Sequence, residues 1–278
     1  MSGSISPPDR ISLRFWGVRG SIPTTTPSNA HYGGNTSGVE IRHPTGELFI
    51  FDAGTGIRDL GLPLKEADKS HVHIFLTHFH WDHLQGIPFF APLYQAGTEV
   101  TFHSTRPQHE LHELVHGQMS SPYFPVPLQA LPAKQHFEQL DSDGDRFGGL
   151  AVTPFALHHP QGATGYRIEH NGAVVVYATD HEHGDGAADR RLREFAEGAD
   201  VLIYDAQFTT AEHANRRGWG HSTWQEAICV ARDTHARQLV LFHHDPGRSD
   251  DQMGAVVTEA RREFPNTDAA REGWTFSL

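Results

Sequence analysis

Between residues 78 and 83 the chain reads His-Phe-His-Trp-Asp-His, directly after the apolar run 72–76 and shortly before Gly86-Ile87-Pro88. With one cysteine in the whole chain, imidazole nitrogen and carboxylate oxygen are the metal ligands on offer, a set that suits zinc and related divalent cations. Side chains alternate along an extended segment, which puts His78 and His80 on one face. If the backbone then turns into a helix, Asp82 and His83 swing to a second position, and one short loop serves two cations.

Four side chains are too few for two cations, so further ligands must come from later strand ends. His158 and His159, Asp180, and His243 and His244 each close an apolar run. In residues 150–159 a regular strand aligns Phe155, Leu157 and His159, which selects His159 over His158. A carboxylate at Asp180 is placed either to bridge two cations or to form a turn before His181-Glu182-His183. Periodicity does not separate His243 from His244, because both faces of that run are apolar.

Several short β-rich runs must position these ends. Residues 11–16, 37–43, 47–52, 72–76 and 98–103 read as strands, and 106–118 as a helix with Pro107 in its first turn. A second series follows. Strands at 150–159, 164–170 and 173–180, the last two joined by the hairpin signal Asn171-Gly172, precede a helix at 188–198 and a strand at 200–206. A helix over 222–236 with Ser222 as its cap, a strand at 238–244 and a helix near 249–264 complete the chain. Strands before helices, twice over, predict a layered α/β fold with two sheets inside and helices outside.

The 278 residues suit one domain, 1–278, with residues 1–10 expected to be flexible. A formal net charge of -12 argues against stable nucleic-acid binding. The lone Cys229 excludes an intrachain disulfide and fits a reducing compartment. The start "MSGSISPPDR" is no signal sequence and no apolar run is long enough to span a bilayer, so a soluble, cytoplasmic protein without membrane contact is expected.

The histidine motif, with "GVRGSIPTTTPSNAHYGGNTSGVEI", "LFIFDAGTGIRDLG", "HHPQGATGYRIE", "VVYATD", "DVLIYDAQFT", "GHST" and "LVLFHHDP", resembles the metallo-β-lactamase superfamily, within it the branch of ribonuclease Z and other phosphodiesterases. The resemblance implies an αββα sandwich of two mixed β-sheets with outer helices and two divalent cations, zinc by default with manganese or iron as alternatives. It places His78, His80 and His159 on the first cation and Asp82, His83 and His243 on the second, with Asp180 between them. His221 falls on a histidine that donates a proton to the leaving oxygen in related nucleases, and Asp205 on the family's acidic residue. His221, Asp205 and Asp82 are thus the expected catalytic residues. A homodimer is implied by the relatives alone.

Such a cage would hold a bridging hydroxide for attack on phosphorus, with His221 as the general acid. Ribonuclease Z enzymes often carry a transfer-RNA-gripping arm after the "GY" strand, and here 166–180 makes a tight hairpin. The expectation is therefore a phosphodiesterase for small phosphodiesters, including cyclic nucleotides. The alternatives are a hydrolase of a lactone or thioester, a ribonuclease Z-like endonuclease acting on RNA 3′ ends, and a non-catalytic metal-binding protein. By residue type alone, His221 fits a helix N-terminal turn and Asp205 a structural turn. The loop 141–149 imitates a calcium site, but Arg146 and Val152 stand where Gly and Glu are required, so it reads as a surface turn. Residues 32–40 read as a turn near the site's rim. His181, His183 and the aromatic segments 89–94 and 119–127 are placed either against substrate or in ordinary packing.

Overall fold

The structure, a computed structural model, describes residues 10–64 and 71–278. Residues 1–9, most of the stretch expected to be flexible, lie outside the described residues.

In chain order the first half holds β1 (Ser12–Gly17), β2 (Gly38–Arg42), β3 (Leu48–Phe51), α1 (Ile57–Leu64), β4 (His71–Phe75), β5 (Glu99–Ser104), α2 (Gln108–Gly117) and β6 (Lys134–Gln139). The second half holds β7 (Asp145–Phe147), β8 (Leu150–Leu157), β9 (Ala163–His170), β10 (Ala173–Ala178), α3 (Gly186–Ala196) and β11 (Val201–Asp205). Then come α4 (Thr210–His213), α5 (Trp224–Asp233), β12 (Gln238–Phe242), α6 (Asp250–Glu263), β13 (Thr267–Ala269) and β14 (Thr275–Ser277). Among the described residues two seven-stranded sheets result, ordered β14-β1-β2-β3-β4-β5-β6 and β13-β12-β11-β10-β9-β8-β7. Both are mixed: antiparallel pairing gives way to parallel pairing at β3-β4 in one and at β10-β11 in the other.

Three apolar cores separate four layers, and strand alternation feeds them. In β3, Phe49 and Phe51 face the second sheet while Leu48 and Ile50 face α1 and α2. Between the sheets Phe51 stacks on Phe75 at 5.0 Å and meets the ring of Tyr166 at 5.5 Å. Burying one such ring contributes about 1.5–3 kcal/mol. On the far side, Leu202, Tyr204, Leu239 and Leu241 pack against Leu192 of α3, Ile228 of α5 and Val257 of α6. This is the αββα sandwich. No helix among the described residues is long and apolar enough to cross a membrane.

The departures from the pattern reading have local causes. Helix α1 buries Ile57, Leu60, Gly61 and Leu64, a helical spacing hidden by Gly61 and Pro63. Strand β6 is largely exposed and polar, and β13 and β14 have three residues each. The loop 141–149 is not wholly a surface turn, since Asp145–Phe147 pairs with β8. Pro107 caps α2 instead of lying in its first turn. The cap of α5 is Thr223, whose side chain accepts from Glu226 N. Ser222 is not available for capping, because its N–H donates to Asp205 Oδ1 at 3.1 Å and its hydroxyl donates to His181 O at 2.6 Å.

Candidate metal centre

Strands β3, β4, β8, β10, β11 and β12 all end at one rim of the sandwich and deliver Asp52, His78, His159, Asp180, Asp205 and His243 to it. Three of these strand ends close on a non-glycine residue in the left-handed region, Asp52 at φ 62°, Asp180 at 58° and His243 at 59°. That conformation costs free energy in L-residues and persists where the surroundings impose it. After β4 the chain stays extended through His80 (φ −68°, ψ 151°) and then makes a 3-10 turn, Trp81–His83, so the turn into helix is a single short one.

The rim brings all seven expected ligands together. His159 Nε2 lies 3.1 Å from His80 Nδ1 and 3.8 Å from Asp180 Oδ1. His78 Nε2 is 3.9 Å from the same Asp180 oxygen. On the other side, His83 Nε2 is 3.3 Å from Asp82 Oδ2 and 3.2 Å from Asp180 Oδ2, and His243 Nε2 is 3.2 Å and 3.4 Å from those same two atoms. The donors thus fall into a group of His78, His80 and His159 and a group of Asp82, His83 and His243. Asp180 faces both with one oxygen each. Of the pair left open by periodicity, His243 points into the rim, whereas His244 Nε2 is tied to Ala270 O at 2.8 Å.

Ring orientations are fixed from behind. Asp52 Oδ2 accepts from His83 Nδ1 at 2.8 Å and from the Tyr177 hydroxyl at 2.9 Å, and its Oδ1 accepts from Thr77 N at 2.9 Å. A carboxylate on the far nitrogen of a metal-facing histidine sets its tautomer and raises its basicity as a ligand. Asp52 was missed as a site residue, although it ends the apolar run 48–51 as Asp180 ends its own. His159 Nδ1 donates to Gly220 O at 2.8 Å, Gln207 Oε1 lies 3.1 Å from His243 Nδ1, and Gln161 Oε1 lies 3.0 Å from His80 Nε2. Ser21 N–H donates to Asp82 Oδ2 at 2.7 Å. The Gly-rich stretch 32–40 backs the motif loop through Asp52-Ala53-Gly54: Gly54 N–H donates to Ser37 O and Ala53 N–H to His83 O, each at 2.8 Å.

The electrostatics show what the donor set lacks. Burial opposes a charge on His83, but Asp52, Asp180 and Asp82 together hold its pKa well above the ordinary value of 6.5. His243 is likewise desolvated, yet Asp180 and Asp82 push it up to about 9. Asp82 and Asp180 are held below the carboxylate range in spite of burial, chiefly by His83 and His243. His78, away from most of this negative charge, is pushed well down by burial and by His83. In addition, among the described residues neither His78 Nε2 nor His83 Nε2, both buried, makes a well-aligned hydrogen bond, although carboxylate oxygens lie 3.2 and 3.3 Å from the latter. A buried nitrogen left without any partner, as His78 Nε2 is, costs about 1–3 kcal/mol unless something occupies the space. Buried carboxylates and orphaned imidazole nitrogens converging on two points fit two divalent cations.

His221 and Asp205 stand beside this cluster. Asp205 Oδ2 lies 2.8 Å from His221 Nδ1, and that nitrogen is 3.8 Å from Asp180 Oδ1. The His221 ring lines a mouth of about 460 Å³ together with Ser21, Phe79, Trp81, Asp82 and Asp180. A larger groove of about 980 Å³ opens on the other side of Phe79 and His80 and runs past Arg106, Leu114 and Gln161. His181 and His183 line neither space. His181 Nε2 is 3.0 Å from Asp189 Oδ1, and His183 Nδ1 is 3.2 Å from Ser222 Oγ. The segments 89–94 and 119–127 line neither cavity: Phe90, Leu93 and Met119 belong to the outer core.

Residues 48–244, which hold nearly all of this rim, match the family described as the beta-lactamase superfamily domain. The chain belongs to the beta-lactamase superfamily. An uncharacterized protein from Mycobacterium leprae is 29% identical over 255 residues, covering 87% of this chain and 82% of its own. Ribonuclease BN of Cronobacter sakazakii is 24% identical over 318 residues, covering 96% of this chain and all of its own. Among solved structures the metallo-beta-lactamase fold protein YhfI from Bacillus subtilis superposes with a TM-score of 0.73 at 21% identity, over 97% of this chain and 100% of that one. A diphosphatase of the PhnP family superposes with a TM-score of 0.71 at 19% identity, over 97% and 98% of the two chains.

Proposed function

We propose that the protein is a dinuclear metal-dependent phosphodiesterase acting on small phosphodiesters, (cyclic) nucleotides among them. The observation that carries this reading is the position of His221. It lies at the mouth, its Nδ1 is occupied by Asp205, and its ring stands 4.9 Å from that of His243 and 5.3 Å from that of His159, one from each donor group.

Two divalent cations in this cage, zinc by default with manganese or iron suited to the same ligands, would supply a hydroxide nucleophile at neutral pH and positive charge for a phosphodiester's oxygens. The chain's own residues do the rest. Asp52, Gly220 and Gln207 orient His83, His159 and His243. Asp205 orients the His221 ring so that Nε2 remains to protonate the leaving alkoxide, the step an unactivated phosphodiester needs most. The groove beside His80 has room for the organic group of the substrate, with Phe79 and Leu114 as apolar wall and Arg106 as a cation.

A small substrate is favoured by the net charge of -12 and by the β9–β10 connection, a tight Asn171-Gly172 turn with no inserted arm. Phosphate chemistry is favoured by the names of two similar proteins, a ribonuclease and a diphosphatase. The test is to load the protein with zinc or manganese and assay bis-aryl phosphate, cyclic nucleotide, lactone and thioester side by side. Turnover of the two phosphodiesters supports the reading. Turnover confined to lactone or thioester replaces it with a carboxylic-ester hydrolase, and no turnover on any of the four favours a metal-binding protein.

A further inference from the structure

The stretch between α4 and α5, residues 214–223, carries both Gly220, whose carbonyl holds His159, and His221. Its tip is open to solvent, with Trp219 61% exposed, and Gly218 and Gly220 adopt φ of +82° and +88°. Gly220 must be glycine for a second reason, since a Cβ there would sit 2.1 Å from His159 Nδ1. A loop with two glycines at positive φ and an exposed tip needs an anchor if it is to hold an imidazole in one orientation.

Glu182 is that anchor. It is only 6% exposed, and its two carboxylate oxygens accept from Gly218 N and Gly220 N, at 2.7 Å each. His213 Nε2 of α4 stands 3.4 Å from Oε1. The Glu182 backbone is fixed in turn to His158, the neighbour of His159, by Glu182 N–H donating to His158 O at 2.8 Å. Glu182 lines neither the mouth nor the groove, so it does not touch what binds there.

We propose that Glu182 is a positioning residue for His159, acting through Gly220. The carboxylate fixes the Gly220 N–H, and the Gly220 C=O accepts from His159 Nδ1 at 2.8 Å, which leaves Nε2 unprotonated and facing His80 and Asp180. At His83 the carboxylate of Asp52 touches the histidine directly. Here a glycine is interposed, and the group of His78, His80 and His159 depends on a residue that contacts none of them. The inference rests on the two-cation reading of the cage and not on the identity of the substrate.

The test compares zinc retention by wild type, Glu182→Gln and Glu182→Ala, dialysed against a series of EDTA concentrations, with metal content per chain as the readout. Glutamine keeps one of the two acceptors and alanine neither. The expectation is that one zinc equivalent is held more weakly, by about 10–100-fold in Glu182→Ala and less in Glu182→Gln, while the other is held as in wild type. Asp189→Asn is the control: Asp189 also anchors this region, through His181 and Gly184 N, but not Gly220, and both equivalents should stay. If Glu182→Ala does not fold, Glu182→Gln decides alone. Wild-type retention of both equivalents in the folded variants overturns the proposal, as does equal loss of both. A selective loss in a protein that turns over no phosphodiester would sink the proposed function and leave this inference standing.

Discussion

His73 and His103, on β4 and β5, lie 2.9 Å apart and are buried in the same sheet that delivers His83 to the rim. They stack on aromatic rings, His103 on Phe75 at 4.5 Å and His73 on Phe49 at 5.1 Å. Among the described residues the acid that pairs with them is the half-exposed Glu138, 3.5 Å from His103 Nδ1. Burial therefore pushes their pKa values down to about 4 and about 3. His83 is buried as deeply and goes the other way, because Asp52, Asp82 and Asp180 converge on it. A histidine surplus is thus not in itself a metal signal. What separates a cage from a core is the carboxylates that neighbouring strand ends bring to the imidazole.

The sharpest way to break this contrast is to exchange the roles. His83→Ala should abolish turnover of bis-aryl phosphate and leave at most one cation bound, whereas the double variant His73→Phe, His103→Phe should keep both cations and full turnover. Loss of metal in the double variant would erase the distinction. Next in size, His221→Ala should lower turnover by about 10²–10⁴-fold on a substrate with a poor leaving group, far less on an activated aryl ester, with metal content unchanged. Equal losses on both substrates would remove the general-acid role. Asp52→Asn should weaken cation retention by about 10–100-fold in chelator competition, because an amide in place of the carboxylate opposes the donors Thr77 N–H and Tyr177 OH and no longer holds His83 by charge.

The smallest expected effect is on stability. His73 and His103 are depressed from 6.5 in the folded chain, so below pH 6.5 the unfolded chain takes up protons that the folded one does not. Their contribution is complete above pH 6.5 and is lost as pH falls towards about 4 for His73 and about 3 for His103. Unfolding free energy in denaturant should therefore fall between pH 6.5 and 4.5 more steeply for wild type than for the double phenylalanine variant, by up to about 2.7 kcal/mol per pH unit for two protons. Parallel pH profiles would show that these histidines are not held neutral.

How much of this was legible from the chain follows from the same contrast. Strand alternation and the position of His78, His80, Asp82, His83 and His159 at apolar run ends are local properties, and the structure brings them to one rim. His243 over His244 needed a family pattern, since the strand is buried on both faces. Asp52 closes an apolar run as Asp180 does, but it contributes through the far nitrogen of a histidine 31 positions away, a role that its place at a run end does not reveal. Gln161, Gly220 and Glu182 were illegible for the same reason: their contacts cross from one loop to another. The Asn171-Gly172 hairpin was readable because its geometry is set by two residues. Helix α1 was not, because Gly61 and Pro63 mask its apolar face until Phe90 and Leu93 are packed against it.

Occupancy of the rim by two cations, one in each proposed donor group, can be tested without any substrate. Crystals of zinc-loaded protein, measured on both sides of the zinc absorption edge, should show two anomalous peaks. One should lie among His78, His80 and His159 and the other among Asp82, His83 and His243, with Asp180 between them and nothing near His73 and His103. A single peak, or none at this rim, would rule out a two-cation cage.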